Sequence, residues 1–308
     1  MSFLILFFAF LLDHTLGELR RWHPLVGLGN AILAVERRLY RPTRWAGVLA
    51  VLVLMLPLML LGIWVETLRD SSPTLYGVIA VAVVYVAVGW RSLKQHARRV
   101  AGPLRRGEHD LARQRLALIV SRDTDSLTPS EVSAATTESV LENGSDAIFA
   151  VVFWFMVAGV PGVLVYRLVN TLDAMWGYRT RRYVAFGWAA ARLDDVLNFI
   201  PARLVVVSYG VATRSWWRFR QSMACALQQG RGWKSPNAGP VMAAGAGALN
   251  VVLGGDMPYH GRVQSRPVLG VGDAPSAGTI EAACRLVNRT VIVWMLVVAA
   301  LGAVGVGL

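Results

Sequence analysis

Three polar segments of this chain combine carboxylates with arginines, and each lies next to an apolar run. In "RDTDSLTPSEVSAATTESVLENGSD", Asp123 and Asp125 precede a helix predicted over residues 129–143. Thr128 is its N-cap, Pro129 fits the first helical position, Glu131 completes a capping box and Gly144 suits the C-terminus. Glu131, Glu138 and Glu142 are spaced to share one face, and Asp146 follows. A solvated acidic face is the ordinary reading of such a helix. Arg122 beside the aspartates, with a membrane-length run straight after, points instead to magnesium and phosphate handling. Glu138, Glu142 and Asp146 are therefore candidate metal ligands, and Arg122 a candidate phosphate ligand.

The second group follows that run. "VNTLDAMWGYRTRRY" places Asn170, Thr171, Asp173, Trp176 and Tyr178 where a plain membrane exit needs only generic polar residues. Further on, "ARLDDVLNFIPARL" spaces Arg192, Asp195 and Asn198 along one side of a helix, and Pro201 is expected to stop or kink it before Arg203. Capping and salt bridging are the ordinary explanation there. The third segment, "GWKSPNAGP", carries Lys234, one of only two lysines, with Ser235 and Asn237. A Gly- and Pro-rich loop with a lysine can cradle phosphate through backbone N–H groups. The Walker A spacing is absent. "GGDMPYHGRVQSRPVLG" reads as turns with Arg262 and Arg266 and no nucleotide motif, and a small-residue helix is expected over 241–253.

Other chemistries are poorly served. Cys225 and Cys284 are too few and too distant for a disulfide framework or zinc site, and the five histidines form no i, i+4 pair. No Ser-His-Asp or Cys-His arrangement is visible.

These segments are positioned by membrane elements. Of 308 residues 55% are hydrophobic and only 16% charged, against about 25% in soluble domains. The net charge of +12 is almost all arginine, and its first use in such a chain is topology. Membrane segments are expected at about 1–12, 45–65, 74–90, 147–169 and 291–308, the first a retained segment, not a signal peptide. Arginine-rich stretches on both flanks of 147–169 ask to be on one side. "AGVPG" at its middle offers a break, so a re-entrant hairpin is expected there. The alternative is a kinked span plus a further crossing near 196–211. The expected fold is an all-α polytopic membrane protein organised as a single domain over 1–308. It has about four spanning helices, a re-entrant or kinked segment, and a large basic cytoplasmic helical region at about 91–146 and 170–289.

Four strings in one order, "RDT…ESVLENGSD", "GVPGVLVYRLVNTLDAMWGY", "RYVAFGWAAARLDDVLNFIPARL" and "SPNAG…GALNVVLGG", resemble adenosylcobinamide-phosphate synthase, the membrane-bound CobD/CbiB family of cobalamin biosynthesis. The N-terminal "LLDHTLGELRRWHPLVGLGNAILAVER" resembles that family's start. The chain departs from the family pattern at Val151, at Gly17-Glu18-Leu19 and at Pro240. The resemblance implies an ATP-dependent, amide-forming ligase. Its substrates would be a propionate carboxyl of adenosylcobyric acid and the amine of aminopropanol or its O-phosphate. ATP and Mg2+ would be required, and cobalt would enter only within the corrinoid.

That chemistry suits the residues. A carboxylate must be activated before an amine attacks it, and phosphoryl transfer needs cations around developing charge. Asp173, Asp195 and Lys234 are the candidate catalytic residues. Arg122, Asn170, Thr171, Tyr178, Arg192, Asn198, Arg203, Ser235 and Asn237 are candidates for substrate and phosphate binding. Trp176, Tyr178, Tyr183, Phe186 and Trp188 are expected to offer a surface to the corrin ring. The expected location is the inner membrane, multi-pass, with the site facing the cytoplasm. Expected partners are membrane lipid, a second copy or other corrinoid-pathway enzymes, and no nucleic acid. A non-catalytic membrane regulator or sensor of the same superfamily is the competing reading. A transporter is disfavoured by few spans and no internal repeat.

Overall fold

The computed structural model describes residues 1–18, 24–259 and 262–304. In chain order the helices are α1 (Ser2–Leu16), α2 (Pro24–Leu39), α3 (Arg44–Ser71), α4 (Pro73–Ala87), α5 (Trp90–Arg105), α6 (His109–Leu116) and α7 (Pro129–Gly144). A π turn, Ser145–Phe149, leads into α8 (Ala150–Trp176), α9 (Tyr183–Phe186), α10 (Trp188–Leu197), α11 (Phe199–Ala212), α12 (Trp216–Gln229) and α13 (Ala238–Leu249). Four short strands follow, β1 (Val252–Gly254), β2 (Met257–Tyr259), β3 (Arg262–Gln264) and β4 (Val268–Gly270), before α14 (Ala277–Ala303). Contacts divide the chain into a first unit, Met1–Trp90 with Asp146–Asn198 and Val297–Leu308, and a second, Arg91–Ser145 with Phe199–Leu296.

Four helical stretches among the described residues are long and apolar enough to cross a membrane: Arg44–Ser71, Pro73–Arg105, Pro129–Trp176 and Ala277–Ala303. The protein is an all-α polytopic membrane protein, as expected, apart from the short strands. α1 is shorter than a span. The last span begins well before residue 291, and residues 305–308 lie outside the description. The alternative crossing near 196–211 falls on α11, which with α10 meets the same length and apolarity test. The two helices are bent by 46° at their break, as in a broken span or a re-entrant loop.

In the first unit, α8 is not one rod. Ala158 (φ −137°, ψ 16°) and Gly159 (φ 59°, ψ −146°) are non-helical. The Tyr166 hydroxyl lies 2.8 Å from the Asp146 carbonyl oxygen. Twenty residues of straight helix would hold these positions about 30 Å apart. The chain therefore turns back on itself at the "AGVPG" sequence, as a hairpin that packs on α3 and α4. Only glycine adopts the Gly159 backbone easily, and a Cβ there would lie 2.5 Å from the Glu66 carboxylate. Glu66, near the end of α3, accepts the Val160 N–H (3.3 Å) and the Tyr76 hydroxyl (3.0 Å), so the broken turn is capped by protein.

At the other end of the hairpin, Leu168, Leu172 and Trp176 pack with Ile32, Ala50, Val51, Leu54, Phe186 and Ala190 in a buried core. Trp176 and Phe186 meet edge to face at 4.8 Å. Glu36 of α2, itself buried, accepts the Trp176 Nε1–H (2.9 Å), the Arg182 guanidinium (2.7 Å) and the Tyr183 hydroxyl (3.1 Å).

In the second unit, α7 has the predicted capping box between Thr128 and Glu131. Its acidic face is only partly solvated: Val132 to Leu141, Glu138 among them, are all buried, and Glu131 and Glu142 are half-buried. Gly144 admits the Tyr209 hydroxyl, 2.9 Å from where a Cβ would sit. α13 ends earlier than expected, at Leu249, because Asn250 takes the left-handed conformation (φ 59°) and the chain enters β1. β1 pairs antiparallel with β4, and β2 with β3, in the segment read as turns alone. Pro201 does not break the chain where expected. The break is at Asn198, and Pro201 sits in the first turn of α11, where its missing N–H costs nothing.

Candidate functional site

The sequence-selected residues divide between the units. Asp146, Asn170, Thr171, Asp173, Tyr178, Arg192, Asp195 and Asn198 belong to the first, and Arg122, Glu138, Glu142, Arg203, Lys234, Ser235 and Asn237 to the second.

In the first unit, the returning arm of α8 and the end of α10 assemble a polar chain. The Tyr166 hydroxyl, within reach of the Asp146 carbonyl, is also 3.0 Å from Asn198 Oδ1. Asn198 Nδ2 donates to Asp194 Oδ2 (3.0 Å), and Asn170 Nδ2 approaches Asp194 Oδ1 at 3.5 Å. Arg167 Nη1 donates to Asn170 Oδ1 (3.2 Å). Burial pushes the Asp194 carboxyl up to about 6; the Asn198 and Asn170 bonds oppose this and the neighbouring Asp195 charge adds to it. A carboxyl that can hold or release a proton near neutral pH is thus joined, through amides, to an arginine inside an apolar helix.

Asn170 and Asn198, both candidates, meet on Asp194, but three members of the chain, Tyr166, Arg167 and Asp194, are not among the candidates. Arg167 carried the clearest signal: a charged residue within a membrane run is costly and marks a functional or structural pairing. Asp194 was passed over for Asp195, which instead pairs with Arg192 at 3.3 Å on an exposed face. Thr171 donates to the Arg167 carbonyl (2.7 Å), within its own helix. Asp173 sits at the α8 C-terminus, its carboxylate against Gly177. Of the five aromatics expected to face a corrin ring, Trp176 and Phe186 are fully buried core, and Tyr183 is tied to Glu36. Tyr178 and Trp188 remain exposed.

In the second unit, Glu138 is the hub. It accepts from Arg122 Nη2 (2.9 Å), Arg266 Nη1 and Nη2 (3.0 and 3.2 Å) and the Gly254 N–H (2.9 Å). Burial alone would raise its carboxyl, but the Arg122 and Arg266 charges outweigh it and hold the group below the ordinary carboxylate range. The Arg266 guanidinium also lies over the Trp233 ring at 5.0 Å, which links the hub to the lysine loop. In that loop Ser235 Oγ accepts the Asn237 and Ala238 N–H groups (3.3 and 3.2 Å) at the start of α13. Arg203 bonds Asn237 Oδ1 and the Pro236 carbonyl, not Asp195. Lys234 is exposed. It precedes the start of α13 by four residues.

Both Glu138 oxygens already take N–H donors, so Glu138 does not fit a magnesium ligand as placed. Glu142 is part-buried on the same helix, and Asp146 belongs to the first unit. Among the described residues no three His, Cys, Asp or Glu side chains group to hold a metal.

Against known proteins, the family model described as "CobD/Cbib protein" matches residues 6–287. "Cobalamin biosynthesis protein CobD" of Chromobacterium violaceum is 50% identical over 305 residues, covering 95% of this chain and 94% of that protein. The protein of the same name from Stutzerimonas stutzeri is 52% identical over 299 residues, 96% of each. That from Mycobacterium tuberculosis is 39% identical over 285 residues, 89% of this chain and 87% of its own. No solved structure matches. With a family model spanning nearly the whole chain and relatives at half identity, the chain belongs to the CobD/Cbib protein family.

Proposed function

We propose that this protein acts in cobalamin biosynthesis as an ATP-dependent amide-forming ligase. It joins a propionate carboxyl of adenosylcobyric acid to the amine of aminopropanol or its O-phosphate. The observation that carries the reading is the near full-length similarity to relatives named for cobalamin biosynthesis. The site chemistry is compatible with it. ATP activates the propionate as an acyl phosphate, and the amine then displaces phosphate. Lys234, Ser235, Asn237 and Arg203 are the residues we assign to the phosphates. In the first unit, Asp173, Asp194 and Asp195 are the carboxylates we assign to polar groups of the substrates. Mg2+ would arrive with the nucleotide, held by its phosphates, waters and at most one or two carboxylates. No step is assigned to Glu138 as its ligand. We place the protein in the inner membrane with its site toward the cytoplasm, where ATP is made available. Tyr178 and Trp188 are the exposed aromatics that remain for the corrin.

The test is direct. Detergent-purified protein is incubated with adenosylcobyric acid, ATP, Mg2+ and either amine. The reading expects an amide product by mass spectrometry, formed in step with nucleotide hydrolysis. A protein that binds the corrinoid but makes no amide with either amine would be a regulator or sensor instead.

A further inference from the structure

A third polar place, whose residues are not among the candidate site residues, lies where α1, α4 and the returning arm of α8 meet in the first unit. Asp13, Gly17 and Glu18 at the end of α1, Tyr85 and Gly89 at the end of α4, and Arg167 line a cavity of about 30 Å3. That is room for about two water-sized groups. Asp13 is 1% exposed although it carries a carboxylate. The Tyr85 hydroxyl donates to the Gly17 carbonyl (2.7 Å), and the Gly17 N–H to the Asp13 carbonyl (2.9 Å), which fix the turn that presents Glu18. The Gly89 N–H donates to the Ala147 carbonyl (3.1 Å), tying the cavity wall to the base of the hairpin. The Arg167 Nε is buried and finds no hydrogen-bond partner among the described residues, while its Nη1 reaches Asn170 of the polar chain.

The charges select the occupant. Two carboxylates repel an anion, and a guanidinium in the same wall repels a divalent cation. A small molecule with an ammonium at one end and an oxygen acceptor a few atoms away satisfies both, ammonium to carboxylates and oxygen to Arg167. We propose that this cavity receives the primary-ammonium end of the amine co-substrate, with Asp13 and Glu18 pairing the ammonium and Arg167 holding the neighbouring oxygen. The assignment rests on the amide-forming reading for the name of the molecule, and on the cavity alone for its chemistry. Arg167 then joins the amine's place to Asn170 and Asp194.

The test uses the full-length protein in detergent and two probes, 1-amino-2-propanol O-phosphate and isopropyl phosphate, which lacks the ammonium. Glu18 is exposed, so Glu18→Gln is the variant that folds irrespective of its role; Asp13→Asn is the buried counterpart. Glu18→Gln is expected to weaken calorimetric binding of the amine, and raise its KM, by about tenfold or more. Affinity for isopropyl phosphate should not fall and the KM for ATP should hold, and Glu18→Asp should recover part of the loss. An amine affinity and KM unchanged in Glu18→Gln overturn the proposal, whether or not Asp13→Asn folds. If the parent makes amide and Glu18→Gln leaves the amine KM alone, the cavity assignment falls and the amide-forming reading stands. If the parent binds the amine through Glu18 but makes no amide, that reading falls and the cavity stands.

Discussion

Glu138→Gln separates a structural hub from a metal ligand. The substitution keeps the side-chain shape and removes one negative charge from between Arg122 and Arg266, whose side chains are 9% and 7% exposed. One oxygen becomes an NH2 donor that must face a guanidinium or the Gly254 N–H. Removing one partner of a buried ion pair costs about 3–5 kcal/mol, and the retained carbonyl places Gln near the lower figure. For a unit of this size about 3 kcal/mol lowers the unfolding midpoint by roughly 10 °C. Cys225 and Cys284 are both buried and lie in the same unit, so a thiol-reactive fluorophore reports its unfolding directly. The sign of the pH dependence follows from the lowered carboxyl. The stabilisation is fully present above the ordinary value of 4.5 and is lost as pH falls through the lower folded value. The gap between parent and variant should therefore be constant from about pH 6 to 8 and narrow in acid. A second change, Arg266→Gln, should recover part of the lost midpoint by removing one of the two cations that Glu138 neutralises. Were Glu138→Gln to melt within 1–2 °C of the parent yet lose all amide formation, the hub argument would fail and the metal-ligand reading would return.

Gly159→Ala places a Cβ against the Glu66 carboxylate in a backbone region closed to alanine, and should cost about 1–3 kcal/mol, seen as reduced monodisperse yield on size exclusion. Glu36→Ala leaves the fully buried Trp176 indole N–H without its acceptor and frees Arg182, so limited proteolysis should cut near residues 178–182 within minutes where the parent resists. Lys234→Ala and Asp173→Asn should stay folded and lose turnover at least tenfold with little change in corrinoid affinity; normal turnover in both would move the site elsewhere. Ser126→Cys and Arg231→Cys are exposed positions in the two arginine-rich stretches that flank the hairpin, so an impermeant thiol reagent should label both or neither in intact cells.

What could be read in advance followed physical locality. The capping box of α7 and the break at "AGVPG" are encoded within a few residues, and both are present. The burial of α7 is not local: its glutamates look solvated until Arg266, 128 residues away, is folded against Glu138. The same holds for Trp176 and Phe186, whose aromatic character fits a ligand platform as well as a core and whose burial depends on Glu36 and α3. Asp194 and Asp195 are adjacent and differ in which side of α10 they face: Asp194 meets Asn170 and Asn198, and Asp195 meets Arg192. Arg167 was legible from hydropathy alone, as the charge that an apolar run should not contain.

The Glu66 cap also sets an order of assembly during synthesis. The hairpin in α8 can enter a bilayer from one side without any polar stretch being carried across, since both arms leave at the end from which they came. Its tip, however, exposes a Val160 N–H whose acceptor is a side chain made almost a hundred residues earlier. An unpaired amide at that depth costs several kcal/mol, so the hairpin is a poor inserter alone and a good one once α3 and α4 are in place. Gly62 and Pro161, which meet where any Cβ on Gly62 would clash, add a steric register to that docking. The N-terminal helices thus act as an intramolecular template for the later hairpin. A ribosome-arrested chain ending shortly after residue 180 should already protect the hairpin, whereas the same hairpin expressed without α3 and α4 should be cleared by membrane proteases.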